Sequence, residues 1–200
     1  MYDSQNRVIE TGEMTLGNQI SHAILRANAS TSLNYIPSGT RTALQYTEYD
    51  TYTSNALPFV PTSGYSSSYS TMITGQVTTT RSRVLGETKF LATTTYYDNQ
   101  GRVIQTVTNN YLGFKSVVNI VYDFMGNTTQ IRESHGYSST GIDVLETVNK
   151  YDDRSRLLSS TVKLNNGIPA IQTNNYDAIG RLVSQKHGNL QEVLTYNSWG

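Results

Sequence analysis

Tyr97-Asp98-Asn99-Gln100-Gly101-Arg102-Val103-Ile104 is the stretch that decides the fold. It reads as Tyr, Asp, two variable residues, Gly, Arg and then two apolar residues. The same string returns as Tyr176-Asp177-Ala178-Ile179-Gly180-Arg181-Leu182-Val183 and as Tyr151-Asp152-Asp153-Arg154-Ser155-Arg156-Leu157-Leu158. A degraded copy is Tyr122-Asp123-Phe124-Met125-Gly126-Asn127. The chain opens with Tyr2-Asp3-Ser4-Gln5-Asn6-Arg7-Val8-Ile9 and closes inside Tyr196-Asn197-Ser198-Trp199-Gly200. From Tyr97 onward, successive copies start 25, 29, 25 and 20 residues apart. A fixed short string at such spacing is the signature of a repeat architecture.

The residues around the string are strand formers. Phe90 to Tyr97 precedes it and Arg102 to Thr108 follows it, both rich in β-branched and aromatic side chains. The string itself reads as the bend between them. Asp98 is placed to accept backbone N–H groups two residues on. Asn99 and Gln100 take the centre of a type I turn, and Gly101 takes a positive φ as the bulge that preserves strand twist. Asn6 tolerates that conformation, whereas Ser155 enters it with strain. Tyr at the strand end and Arg past the bulge are expected to meet across their own hairpin, guanidinium on ring. A lone hairpin is marginal in water, so each must bury its faces on neighbours. The expected fold is therefore all-β: repeated antiparallel hairpins in a twisted or spiralling sheet.

Composition agrees. Of the 200 residues, 15 are Tyr, 15 Gly, 4 Pro and none Cys, and the apolar share is only 36%. Thr and Tyr suit a pleated, half-buried surface better than a helical bundle. Fifteen Lys and Arg balance 15 Asp and Glu, so nothing draws the chain toward phosphate backbones. No apolar run reaches the length of a membrane helix. The first 30 residues lack a signal-peptide pattern, so any export signal is expected outside this chain. Without Cys there are no disulfides and no thiolate metal sites.

Three regions are expected: a first repeat over 1–11, a degenerate insertion on the same sheet over 12–88, and the repeat array over 89–200. Within the insertion, Asn18 as N-cap and apolar residues 20, 23, 24 and 27 predict one short helix near 18–28. Thr42 to Thr53 and Met72 to Leu85 are strand-like. Tyr49-Asp50 has the look of a decayed copy of the string. Gly64 to Ser70 reads as an exposed polar loop.

The recurring string resembles the YD repeats of RHS (rearrangement hot spot) proteins. The resemblance covers 89–200 well, 2–11 in one copy and 12–88 poorly, although Thr78 to Gly113 also looks like RHS-type proteins of Bacteroidetes. It implies a β-sheet strip that winds into a hollow shell around a C-terminal effector or toxin, as in RHS and toxin-complex proteins. Related shells serve cell-surface adhesion in teneurins, and YD repeats have been linked with carbohydrate binding. The implied setting is secreted or cell-surface, and the implied partners are further repeats and an effector of the same polypeptide. About five hairpins amount to a wall segment only. None of the four Pro residues follows Asp, so the family's self-cleaving Asp-Pro element is not found here. Cut strand edges are expected to promote self-association.

Chemistry-bearing patterns are few. His22, His135 and His187 lie far apart without metal-ligand spacing. Gly136 to Gly141 has the wrong spacing for a nucleophile elbow. Asp152 and Asp153 sit inside a turn, where a capping job explains Asp152 better than a carboxylate dyad. The expectation is no catalytic residue, no cofactor and no metal. The residues assigned to the turn motif are Tyr97, Asp98, Gly101, Arg102, Tyr122, Asp123, Gly126, Tyr151, Asp152, Arg156, Tyr176, Asp177, Gly180 and Arg181. Tyr65, Tyr69 and Tyr137 stand in polar loops and are the candidates for stacking on sugar rings.

Overall fold

The computed structural model describes residues 1–16, 21–31 and 39–197. Among these, twelve strands form one sheet whose spatial order follows the chain order. They are β1 (Glu10–Thr15), β2 (Thr40–Tyr49), β3 (Val77–Arg83), β4 (Phe90–Tyr97), β5 (Val103–Asn109) and β6 (Lys115–Tyr122). The meander continues through β7 (Thr128–Gly136), β8 (Ile142–Tyr151), β9 (Leu157–Leu164), β10 (Ala170–Tyr176), β11 (Leu182–His187) and β12 (Leu190–Val193). Every neighbouring pair is antiparallel. The fold is thus all-β and built of hairpins, as the alternating Thr/Tyr/Val stretches require.

The one helix among the described residues, α1 (His22–Thr31), starts four residues later than the predicted cap. Asn18 lies outside the described residues. Ser21 precedes the helix, and its Oγ accepts the Ile24 N–H at 3.4 Å, the contact of an N-cap. None of the helix residues is buried.

The copies at Tyr97, Tyr122, Tyr151 and Tyr176 make the predicted bend, and the ladder register shifts at each of these Tyr residues; residues 198–200 of the last copy lie outside the described residues. The shift is the bulge that Gly101 was expected to supply, and Gly101 has φ 76°. Ser155 adopts the same conformation at φ 60° and Asn6 at φ 61°, both carrying the Cβ penalty that glycine avoids. The intervening bends lie at the other ends of the strands. One of them reuses the same chemistry: Asn110 Oδ1 accepts the Phe114 N–H at 2.9 Å, where an Asp would stand in the motif.

Residues 49–77 resolve the decayed copy. Tyr49 pairs with Val77 at a register shift, as Tyr97 pairs with Val103. The Asp50 N–H donates to the Gln76 carbonyl at 3.0 Å, as Asp98 does to Arg102 at 2.9 Å. Gly75, at φ 85°, fills the glycine position. This is a motif turn opened between Asp50 and Gly75, and the chain between them folds back over the sheet as a strap.

The strap covers the core. Tyr96, Ile104, Val107 and Val117 are buried on β4, β5 and β6, with Tyr52, Leu57, Phe59 and Val60 of the strap packed against them. The Tyr96 ring stacks on Tyr52 at 4.7 Å and meets Phe59 and Tyr69 at 5.2 and 4.6 Å. Fully burying an aromatic side chain of this kind contributes about 1.5–3 kcal/mol. Beyond β6 the strands carry no fully buried apolar residue; side chains such as Ile131, Leu145, Val162 and Leu182 are half-buried there.

Candidate functional site

Two places concentrate organised side chains: the line of motif turns along one margin of the sheet, and the strap on its face.

At each intact turn one carboxylate does three things. In the turn at 98–102, Asp98 Oδ1 accepts the N–H groups of Gln100 and Arg102, both at 2.9 Å, while Oδ2 accepts Arg102 Nε at 2.7 Å. The 152–156 turn repeats this at 2.9, 2.9 and 2.6 Å. The 177–181 turn gives 3.1, 2.8 and 2.8 Å, and the 3–7 turn 2.9, 2.9 and 2.7 Å. Asp98 has desolvation working against ionisation, but these bonds outweigh it and lower its pKa. Asp177 is also lowered, chiefly by the Arg181 side chain.

The guanidinium does not reach the Tyr of its own hairpin. It lies on the Tyr of the next one. Arg102 is 4.7 Å from the Tyr122 ring centre, Arg156 4.8 Å from Tyr176 and Arg181 4.5 Å from Tyr196. Arg7 sits 4.3 Å over Tyr49. The expected pairing across a single hairpin is corrected to a rung between successive hairpins. The reason is geometric: Arg Nε is already tied back to its own Asp, which turns the guanidinium outward toward the following repeat.

The Tyr hydroxyl reaches back in turn. Tyr122 donates to the Val103 carbonyl at 2.9 Å, Tyr176 to Leu157 at 3.0 Å and Tyr196 to Leu182 at 2.7 Å. Tyr97 donates to Val77 at 2.7 Å and Tyr151 to Thr128 at 3.1 Å. Every acceptor is the residue just after the preceding turn. Gly180 belongs to the same contact, since a Cβ there would lie 3.1 Å from Arg156 Nη1. In the 123–127 turn, Asn127 replaces Arg. Its Nδ2 satisfies Asp123 Oδ2 at 2.9 Å and Ser155 Oγ at 3.0 Å.

The strap is fastened by side chains. Gln105 makes a two-way amide bond with the Val60 backbone, donating to its carbonyl and accepting its N–H, each at 2.8 Å. Gln105 Nε2 also donates to Asn119 Oδ1 at 2.7 Å. Thr94 Oγ1 accepts the Leu57 N–H at 2.8 Å, and the Tyr96 hydroxyl donates to the Leu57 carbonyl. Beside the strap runs a groove of about 440 Å³ lined by Val60, Thr62, Lys115, Val117, Arg132 and Ile142 among others.

The three tyrosines expected to bind sugar are placed differently from one another. Tyr69 belongs to the aromatic cluster and is 39% exposed. Tyr65 is half-buried, and burial raises its phenol pKa. The 64–70 stretch is therefore not wholly an exposed loop: Ser70 is buried and its N–H donates to the Tyr97 carbonyl at 2.8 Å. Tyr137 is 51% exposed, and its ring lies against Gly141. Ser116 Oγ and His135 Nδ1 meet at 2.7 Å on adjacent strands. Asp143 pairs with His135 in the ladder, but its carboxylate accepts from Asn165 Nδ2 at 3.0 Å. Among the described residues there is no metal-binding group of three His, Cys, Asp or Glu. No helix there is long and apolar enough to cross a membrane.

The chain matches no family model and no curated protein.

Proposed function

We propose that the chain is a non-catalytic structural segment of an RHS-type, YD-repeat shell that encloses or presents an effector on the same polypeptide. The observation that carries this reading is the guanidinium rung that joins four of the motif turns to the Tyr of the following one. A guanidinium clasped in one hairpin and stacked on the next couples neighbours without a second layer of structure. Such a unit extends by repetition and gives a wall one sheet thick. Its action is steric: the wall insulates a client from proteases and solvent. A secreted or cell-surface setting goes with this reading.

The test uses the parent polypeptide. If the repeats enclose the segment that follows them, that segment resists added protease until Arg102 and Arg156 are both changed to Ala. Equal cleavage with and without the rungs counts against enclosure.

A second reading, a surface adhesion or glycan-binding module, is favoured by Tyr137 alone, whose half-exposed ring stands at a bend. Binding on a glycan array that disappears in Tyr137→Ala supports it; no binding to any glycan counts against it.

A further inference from the structure

Four guanidinium groups stand on tyrosine rings of the following repeat: Arg7, Arg102, Arg156 and Arg181. One repeat has the receiving parts without the cation. Asn127 occupies the Arg position, and its side chain ends at Asp123 and Ser155. The next ring, Tyr151, is held in the usual pose by its hydroxyl bond to the Thr128 carbonyl. Among the described residues, no aromatic ring and no cation lies over Tyr151, neither its sequence neighbours Lys150 and Arg154 nor any other.

The carboxylate side is equally incomplete. Asp3, Asp98, Asp152 and Asp177 each form an ion pair with an Arg four residues on. Asp123 forms none among the described residues and accepts amide N–H groups alone. The other Tyr that follows a non-Arg position, Tyr97 after Gln76, is 6% exposed and closed to solvent. Tyr151 is only half-buried. A ring face and a carboxylate without an ion pair thus flank one place, the two groups that hold a guanidinium in four other rungs of the chain.

We propose that the Asp123–Tyr151 site takes the guanidinium of an arginine side chain supplied by a second polypeptide. Its planar face would lie on Tyr151 and one N–H edge would meet Asp123 Oδ2, sharing it with Asn127. In the 98–102 rung, Arg102 Nη1 also approaches the Asp123 carbonyl at 3.5 Å, and the Asp152 carbonyl is the corresponding acceptor here. Guanidinium is favoured over ammonium, because a planar, weakly hydrated cation stacks on a ring while keeping its edge donors free.

The experiment is an NMR titration of the intact chain with N-acetyl-argininamide, reading the Tyr151 ring and Asn127 side-chain amide signals. N-acetyl-lysinamide at the same ionic strength is the control. The expected result is a saturable shift at both groups, several-fold larger than with the lysine compound and lost in Asn127→Arg, whose own guanidinium fills the place. Tyr151→Leu loses it too, and this variant decides the matter if Asn127→Arg does not fold. No saturable shift, equal shifts at exposed Tyr2, Tyr111 and Tyr137, or binding that survives in a folded variant overturns the proposal.

Discussion

Arg102 is bonded to one hairpin and stacked on the next: its Nε lies 2.7 Å from Asp98 Oδ2 while its guanidinium carbon lies 4.7 Å from the centre of the Tyr122 ring. The side chain therefore couples two repeats, and the coupling is measurable. In a double-mutant cycle, Arg102→Ala and Tyr122→Leu are expected to interact by about 0.5–1 kcal/mol. Arg102 paired with Tyr97→Leu should show a smaller coupling, because Tyr97 lies in the same hairpin and makes no stack with Arg102. Urea unfolding of the single and double variants measures both.

The left-handed residues give opposite signs at equivalent positions. Gly101→Ala places a Cβ at φ 76° and is expected to cost about 1–2 kcal/mol. Ser155→Gly removes that penalty at φ 60° and is expected to stabilise by up to about 1 kcal/mol, less the bond from Asn127. Thermal unfolding that moves the same way for both variants contradicts the assignment of these two positions as one turn site.

Gln105 fastens the strap through three hydrogen bonds, two with the Val60 backbone and one with Asn119 Oδ1. Gln105→Ala leaves the Val60 N–H and carbonyl unpaired and opens a cavity, an expected loss of about 2–4 kcal/mol. The same change should expose the 57–62 segment to proteolysis before the strands unfold. Cleavage first in the β10–β11 region would contradict that order.

Acid acts on the turns. Asp50 is lowered to about 2, first by the Arg7 side chain and then by the Gly75 N–H, against the opposing desolvation. Its folded pKa lies below the unfolded value, so its stabilisation is complete above about pH 4 and disappears as pH falls through about 2. Asp3, Asp98, Asp123, Asp152 and Asp177 are shifted in the same direction. Urea midpoints measured against pH should therefore hold level from pH 8 to 5 and drop between pH 4 and 2. Asp50→Asn should shallow that drop. A decline already complete by pH 5 contradicts the carboxylate account.

The bend was legible in the sequence because its causes are local. An Asp accepting two N–H groups ahead of it, a glycine at positive φ and β-branched flanks are all contained in eight residues. The partner of each Arg was not legible. Spacing within the string brings Tyr97 and Arg102 close, and only the tie from Nε to Asp98 shows that the guanidinium faces the other way. The opened turn was hidden for a different reason. Asp50 and Gly75 are 25 residues apart in sequence, so the two halves of one motif could not be joined by pattern. Ser21 stands at the start of the helix, a position that Ser and Asn suit equally. Tyr69 sat in a polar, low-complexity stretch whose composition gives no hint that the ring packs on Tyr96.

The central claim is that the recurring octapeptide is the bend of a hairpin whose Arg reaches forward to the following repeat. Proton–proton NOEs from the Arg102, Arg156 and Arg181 side chains test it most directly. The account predicts cross-peaks to the rings of Tyr122, Tyr176 and Tyr196 respectively. Cross-peaks from these arginines to Tyr97, Tyr151 and Tyr176 of their own repeats in place of those, or helical connectivities through the octapeptides, would contradict it.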